Sequence, residues 1–529
     1  MNSTSSSKPL DSVYQNRYCL ICAARLDGRP IIESEVGLRT IYSAEFVLGH
    51  EAGQHVLIHD GHVVYEDSRI VYVGAHYEGP ADESFDLGRS LITPGLIDLD
   101  ALTDIDHLLV DSWASADRAS GMQWSEDYFR NRRADVFTAE ERQTIRKYAL
   151  VQLALHGVTT YMPIASEIHS AWAEGFDELA GMAETSRQIG LRGYLGPAYR
   201  SGVNVLRADG QRDVAFDEEE GRAGLADAVR FLDYADELAD PLVNGVLLPC
   251  RIETLTAELL RATAKIARER HSLVRLHCLQ GALERELLQR WHGLTPLELL
   301  EQTGLLAERL LIPHGIFVDR NPLVDGTDLG DLQTLAAANI SIVHCPLTSF
   351  RYGMALDSFA AFREAGVNLC LGTDSFPPDL IRGMDTGVHL AKLLDHRQDS
   401  APAEHYFEAA TLGGARALDR PDLGRLEAGA QADFVAFSLD DIRDGVLDDP
   451  IRTLLLNGTA RQATHSVVAG RLVMRDGMIP GIDIPGLTAE AQRLFEQMRE
   501  AYSERDSERR APRELFPPTF PHVREQLRR

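Results

Sequence analysis

Asn368-Leu369-Cys370-Leu371-Gly372-Thr373-Asp374-Ser375 is a short apolar run that ends abruptly on a carboxylate and leads into Phe376-Pro377-Pro378-Asp379. It reads as a buried strand that delivers one acid at its C-terminal tip. Alone, an Asp after Gly-Thr is as ordinary as a helix cap or a turn residue. Three comparable runs precede it, and each closes on a histidine: Val274-Arg275-Leu276-His277-Cys278, Leu310-Leu311-Ile312-Pro313-His314-Gly315 and Ser341-Ile342-Val343-His344-Cys345-Pro346. Parallel strands that all end on metal-ligand residue types can converge those side chains on one mouth, as the C-terminal face of an α/β barrel does.

Between positions 91 and 396, short apolar strands alternate with amphipathic helices, which argues for βα units and a parallel sheet. Eight strand candidates lie at 96–99, 159–162, 192–195, 245–248, 273–276, 310–312, 340–343 and 368–371, with helices clearest at 140–155, 223–238, 256–268, 329–338 and 356–364. The fold class is therefore α/β, a (β/α)8 TIM-like barrel over 93–422. Short strands punctuated by Asp27-Gly28, Asp60-Gly61 and Gly74 precede it (18–26, 56–58, 63–65 and 69–73), and further strands at 434–437, 453–456 and 467–474 follow, with turns at Asn457-Gly458, Ala469-Gly470 and Asp476-Gly477. Residues 16–92 and 423–480 are expected to build one small composite β-sandwich. Residues 1–15 read as a disordered tail and 481–529 as a charged helix (488–504) plus tail, packed on the outside or on a second subunit. Long connections at 103–137 and 200–222 are expected to wall the pocket.

With 80 acidic against 53 basic residues, the net charge of −27 repels nucleic-acid phosphates and anionic membranes. A small-molecule substrate is expected, with no nucleic-acid or membrane partner. No apolar run approaches the ~20 residues of a membrane span and the opening residues lack a signal-peptide core, so a cytoplasmic protein, assembled as a homo-oligomer, is expected. Cys19-Leu20-Ile21-Cys22 resembles a zinc or redox half-site, but no second pair completes it, and a plain strand is expected there.

The chain resembles the amidohydrolase superfamily, particularly the branch of cytosine and guanine deaminases, atrazine-type chlorohydrolases and phenylurea or thiocarbamate hydrolases. The resemblance is carried by Ile92-Thr93-Pro94-Gly95-Leu96-Ile97-Asp98, Gly157-Val158-Thr159-Thr160, His344-Cys345-Pro346, Leu371-Gly372-Thr373-Asp374 and the run from Leu423 to Asp433. It implies that His277, His314 and Asp374 surround one divalent metal ion, zinc in first place, with iron, manganese or cobalt as alternatives. It further implies that Asp374 takes the proton of an activated water while His314 polarises the group under attack.

Two positions depart from the family pattern. The usual His-x-His after the Pro-Gly-x-x-Asp run is Asp100 and Leu102 here; Leu102 cannot bind metal, whereas Asp100 can. Strand alternation places Asp98 and Asp100 on one face, with Leu99 outward against the helices. Asp104, Asp106 and His107 either turn inward as ligands or cap and solvate the loop. On the fifth strand, Gln280 replaces the proton-shuttling glutamate of deaminases, and an amide cannot shuttle a proton. That shifts the expected reaction toward amide, carbamate or urea cleavage, with leaving groups that depart readily. Hydrolysis of a nitrogen heterocycle by deamination or dechlorination is the rival within the class, and a metal-free paralogue acting as a partner subunit is the rival outside it.

Candidate substrate contacts are His344, Cys250, Tyr199, Arg200 and His169, each at a strand end on the same face, with Glu167 beside His169. Each also has a bland reading. A histidine can satisfy a backbone carbonyl, a thiol can pack, and a loop residue can face solvent.

Overall fold

The computed structural model describes residues 38–113, 124–164, 170–324 and 326–521. Residue contacts divide the chain into 1–38 and 39–529, and the fold is that of the second unit. The expected tail over 1–15, the strand over 18–26 with Cys19 and Cys22, and the loop residues Glu167 and His169 lie outside the described residues.

Eight parallel strands occupy the middle of the chain. Leu96–Leu102, Val158–Ile164, Arg192–Leu195 and Val243–Gly245 form one sheet, and Val274–Arg275, Leu310–Pro313, Ser341–His344 and Asn368–Leu371 form another. Backbone hydrogen bonds close the two into a ring. On one side Leu247 N–H donates to Leu273 O and Arg275 N–H to Leu247 O, both at 3.0 Å; on the other, Asp374 N–H donates to Asp100 O at 2.8 Å. The result is a TIM-barrel-like α/β fold, as the alternation of strands and helices predicts.

The helix Ala139–Leu155 shows how local sequence builds the outer ring. Thr138 and Glu141 make a reciprocal capping box at its start, and it stops at His156-Gly157, where Gly157 takes φ +80°. Its buried stripe of Leu150, Val151, Leu153 and Ala154 shares an apolar cluster with Leu96, Val158 and Tyr161 of the strands. Each such leucine contributes about 1.5–3 kcal/mol on burial.

Strands from both ends of the chain share one eight-stranded sheet, joined where Ser90–Pro94 runs antiparallel to Phe434–Ser438. Several expectations fail here. A strand unassigned from sequence, Arg39–Glu51, lies at the centre of this sheet, with Thr40, Tyr42, Ala44 and Phe46 alternating inward. Asp60-Gly61 is no turn: Gln54–Glu66 runs straight through it with its register to Arg39–Glu51 unchanged, Gly61 facing Ala44 and His59 facing Phe46, while Asp60 takes φ +49°. Residues 453–456 are helical, because Asp449 caps Arg452 N–H and Pro450 opens the turn. The segment 467–474 spans a hairpin, Ala463–Val468 and Arg471–Arg475, folded at Ala469-Gly470.

The two long connections are linked: Trp124–Ser125 from the first pairs with Gly202–Leu206 from the second, which forms a hairpin with Arg212–Phe216. The C-terminal helix Ile484–Arg505 packs on the first of them, with Leu494, Met498 and Tyr502 among Trp124, Tyr128, Phe129 and Phe137. Trp113 lies between Phe516 and Tyr502, ring centroids 4.5 and 5.5 Å away. Among the described residues, no helix is long and apolar enough to cross a membrane.

Candidate metal centre

The first and eighth strands are stitched together by Asp98. Its Oδ1 accepts the N–H of Thr373 at 3.0 Å and that of Asp100 at 3.2 Å, and its Oδ2 accepts the Thr373 hydroxyl at 2.7 Å. Burial nevertheless lifts Asp98 to about 7, against the opposing effect of these bonds. Close approach of the strands also requires Gly372, since a Cβ there would stand 2.5 Å from that of Asp100. The two acids therefore share the barrel-closing edge. Leu99, however, lies in an apolar cluster with Tyr194, Val246, Leu248, Val343 and Cys370 of other barrel strands rather than outside against helices. The pairing register slips between Asp98 and Ala101, which resets the alternation.

Asp100, His277 and His314 are all buried, and one ligand atom from each lies within 4.8 Å of the others. Asp100 Oδ2 is 3.4 Å from His277 Nε2 and its Oδ1 is 3.1 Å from Arg275 Nη1. His277 Nδ1 lies 3.1 Å from the carbonyl of Cys250, which can only accept, so Nδ1 donates there and Nε2 is the ring atom turned toward Asp100. That Nε2 is buried with no hydrogen-bond partner among the described residues. His314 Nε2 lies 3.5 Å from Asp374 Oδ2 and 3.1 Å from Gln280 Nε2, which donates to it. His314, Asp374 and Leu279 take φ of +69°, +36° and +58°, a conformation costing about 1–3 kcal/mol each that the surrounding packing must enforce.

Electrostatics prepare the same atoms for a cation. Burial, then the neighbouring His277, drives His314 down to about 3, so its imidazole is neutral. Burial works to raise Asp100, but His277 and the Arg275 guanidinium outweigh it and hold the carboxyl below its ordinary range. Asp374 is pushed well above the carboxylate range by burial and then by the charge of Asp100. Imidazole nitrogens and carboxylates with a buried, unsatisfied Nε2 fit zinc or another first-row ion.

A small cavity of about 50 Å³ opens beside this cluster, lined by Trp172, Glu174, Arg200, Cys250, Arg251, Arg275 and His277 among others. Cys250 and Arg200 thus face it, Arg200 also donating to the Trp172 carbonyl. Tyr199 does not: it is fully buried and its hydroxyl bonds to Thr263 on the helix Ala257–Arg270, 2.9 Å away, behind the barrel wall. His344 faces Tyr406 Oη at 3.4 Å, beside the stacked Phe359, and burial takes it down to about 3. Asp104 Oδ1 caps the loop by accepting the N–H groups of Ile105 and Asp106 at 2.5 and 3.3 Å. His107 is half-buried, and its carbonyl accepts from Arg351.

Two participants escaped the sequence reading. Arg275 was available from strand alternation, being two residues from His277 and hence on its face. Glu284 gave no such signal: from the next helix it accepts the N–H groups of Leu279 and Gln280 at 2.8 and 3.1 Å, fixing the turn that aims Gln280 at His314. Burial, then the charge of Glu253, raises Glu284 to about 8. With the folded value above the unfolded one, its stabilising contribution is full in acid and is lost as pH rises through about 8. Thermal melts from about pH 5 to 8, between the unfolded and folded values, should therefore fall less steeply in Glu284→Gln than in the parent. At pH 7 the variant should be weaker by about 1 kcal/mol, because one N–H loses its acceptor. Parallel melting curves across that window would remove Glu284 as the titrating group.

Fold and site together define a barrel hydrolase with a candidate metal centre at the C-terminal ends of its strands. The model of the amidohydrolase family matches residues 91–473, and the chain belongs to that family of hydrolytic enzymes acting on carbon–nitrogen bonds. It is 25% identical over 430 residues to a 5-methylthioadenosine/S-adenosylhomocysteine deaminase of Pyrococcus abyssi, covering 80% of this chain and 91% of that protein. It is 29% identical over 447 residues to an 8-oxoguanine deaminase of Pseudomonas aeruginosa, covering 81% and 93%. Among solved structures, an adenosine deaminase from Xanthomonas campestris with bound zinc superposes with a TM-score of 0.70 at 22% identity, over 87% of this chain and 99% of the other. An atrazine chlorohydrolase from Arthrobacter aurescens complexed with zinc and atraton gives 0.69 at 18%, over 86% and 100%.

Proposed function

We propose that the protein hydrolyses a carbon–nitrogen bond of a small organic molecule at one divalent ion, zinc in first place, held by His277, His314, Asp100 and Asp374. The observation that carries this reading is the convergence of Asp100, His277 and His314 on one buried point beside a cavity lined by Cys250, Arg200 and His277. The ion, when bound, supplies an activated water whose pKa lies near 7. Asp374, with Oδ2 3.5 Å from His314 Nε2, would take the proton of such a water, and His314 would orient the group under attack. Gln280 can donate or accept hydrogen bonds but cannot pass a proton on. Protonation of the leaving group then falls to Asp374 or solvent, which suits amide, carbamate or urea substrates. Cys250 and Arg200 border the substrate.

The deaminase relatives favour a second reading, removal of an exocyclic amine from a nitrogen heterocycle. Ammonia release from aminopurines against amine release from amide, carbamate and urea panels separates the two. Zinc stoichiometry of the purified protein tests both: about one equivalent is expected, lost in His277→Ala, whereas zinc-free, inactive protein of intact fold would sink the metal reading. Gln280→Glu should change the pH profile of the rate by restoring an ionisable group beside His314. An unchanged profile would place Gln280 outside the chemistry.

The domain plan proposed with this activity is a barrel over 93–422, flanked by a β-domain from 16–92 and 423–480 that closes as a sandwich, with 481–529 as the terminal helix and tail. A shared apolar cluster of Tyr42, Val47, Val63, Leu426, Phe434 and Val467 supports the composite β-domain. A cytoplasmic homo-oligomer acting on small molecules is the setting proposed.

A further inference from the structure

We propose that Arg275 sets the metal affinity of this centre by competing with the ion for Asp100. The inference rests on the metal reading above and concerns how readily that site fills. Arg275 sits on the fifth barrel strand two residues before His277, with its side chain only 3% exposed. Its Nη1 stands 3.1 Å from Asp100 Oδ1 and 3.5 Å from the Met162 carbonyl, while its Nε has no hydrogen-bond partner among the described residues. The guanidinium is thus held chiefly by one carboxylate, and the other oxygen of that carboxylate faces His277 Nε2 at 3.4 Å.

Without an ion, Asp100 is a fully buried carboxylate, and the Arg275 guanidinium is its permanent counter-charge beside His277; stripping that away would destabilise a charge in a low-dielectric interior. With an ion, Asp100 must serve two cations at once, and the guanidinium repels the ion at short range where screening is weak. Around the point of convergence the Arg275 charge offsets that of Asp100, so an ion would meet less negative charge there than the ligand set alone offers. Arg275 therefore stabilises the empty centre and weakens the filled one, two effects of opposite sign from a single side chain. A residue that merely supports the fold would move both in the same direction.

Zinc affinity of the full chain, by competition with a chromophoric chelator, and thermal melts of metal-free and zinc-loaded protein test this in the parent, Arg275→Met and Arg275→Lys. Arg275→Met is expected to bind zinc at least about ten-fold tighter, because a unit positive charge a few ångströms from the ion is removed, and to melt lower when metal-free, so that the zinc-induced rise in Tm widens. Arg275→Lys keeps the charge and should stay close to the parent in affinity. Should Arg275→Met not fold, Arg275→Gln, which can hydrogen-bond Asp100 without a charge, is expected to shift affinity in the same direction. Unchanged or weaker zinc binding in the uncharged variants, with one equivalent bound by the parent, overturns the inference and leaves the metal reading standing. A parent that binds no zinc overturns that reading and the inference with it.

Discussion

Asp374→Asn should lower turnover by about 10²–10⁴-fold while leaving the fold intact, because the amide keeps the volume of the side chain but cannot take a proton from water. The barrel closure at this point uses the backbone: Asp374 N–H donates to Asp100 O, and its carbonyl accepts from Thr348, so neither bond depends on the carboxyl. Asparagine also tolerates the left-handed backbone at φ +36° about as well as aspartate. Circular dichroism and melting should thus match the parent while the rate collapses. A variant that keeps most of its rate would take Asp374 out of the mechanism.

The second large effect is expected at Asp100. Asp100→Ala removes a ligand and should weaken metal binding by about ten-fold or more. It also strands the Arg275 guanidinium in the barrel, a loss of about 3–5 kcal/mol by the usual cost of breaking a buried pair. Isothermal titration with zinc, alongside denaturant melts of the metal-free protein, separates the two losses. Metal binding as tight as the parent's would remove Asp100 from the ligand set.

Much of this architecture was legible in the sequence because each barrel strand is a short apolar run ending in a chemically distinctive residue. The bounds of the third and eighth strands, Arg192–Leu195 and Asn368–Leu371, match the apolar runs residue for residue. The convergence of Asp100, His277 and His314 follows from the two histidines leaving their strands at the mouth that Asp100, two residues before the end of the first strand, also reaches. What was hidden depends on neighbours distant in the chain. Leu99 turned inward because a register slip, invisible to periodicity, reset the first strand. Tyr199 turned away because Thr263 offered its hydroxyl a partner behind the wall. Residues 453–456 look like a strand by composition, yet the capping Asp449 and the following proline outweigh β-propensity there. Arg275 was overlooked for another reason: a cation beside a metal site runs against expectation, though its position on the strand declared its direction.

The packing of Trp113 against Tyr502 and Phe516 has a temporal consequence. The connection after the first barrel strand, which carries Asp104 and Asp106 to the mouth, shares its apolar core with residues nearly four hundred positions later. On the ribosome, at about 5–20 residues per second, the barrel strands emerge many seconds before that partner helix does. The connection on that rim is therefore consolidated late, and a nascent chain holding all its proposed metal ligands still awaits the helix that packs on this connection.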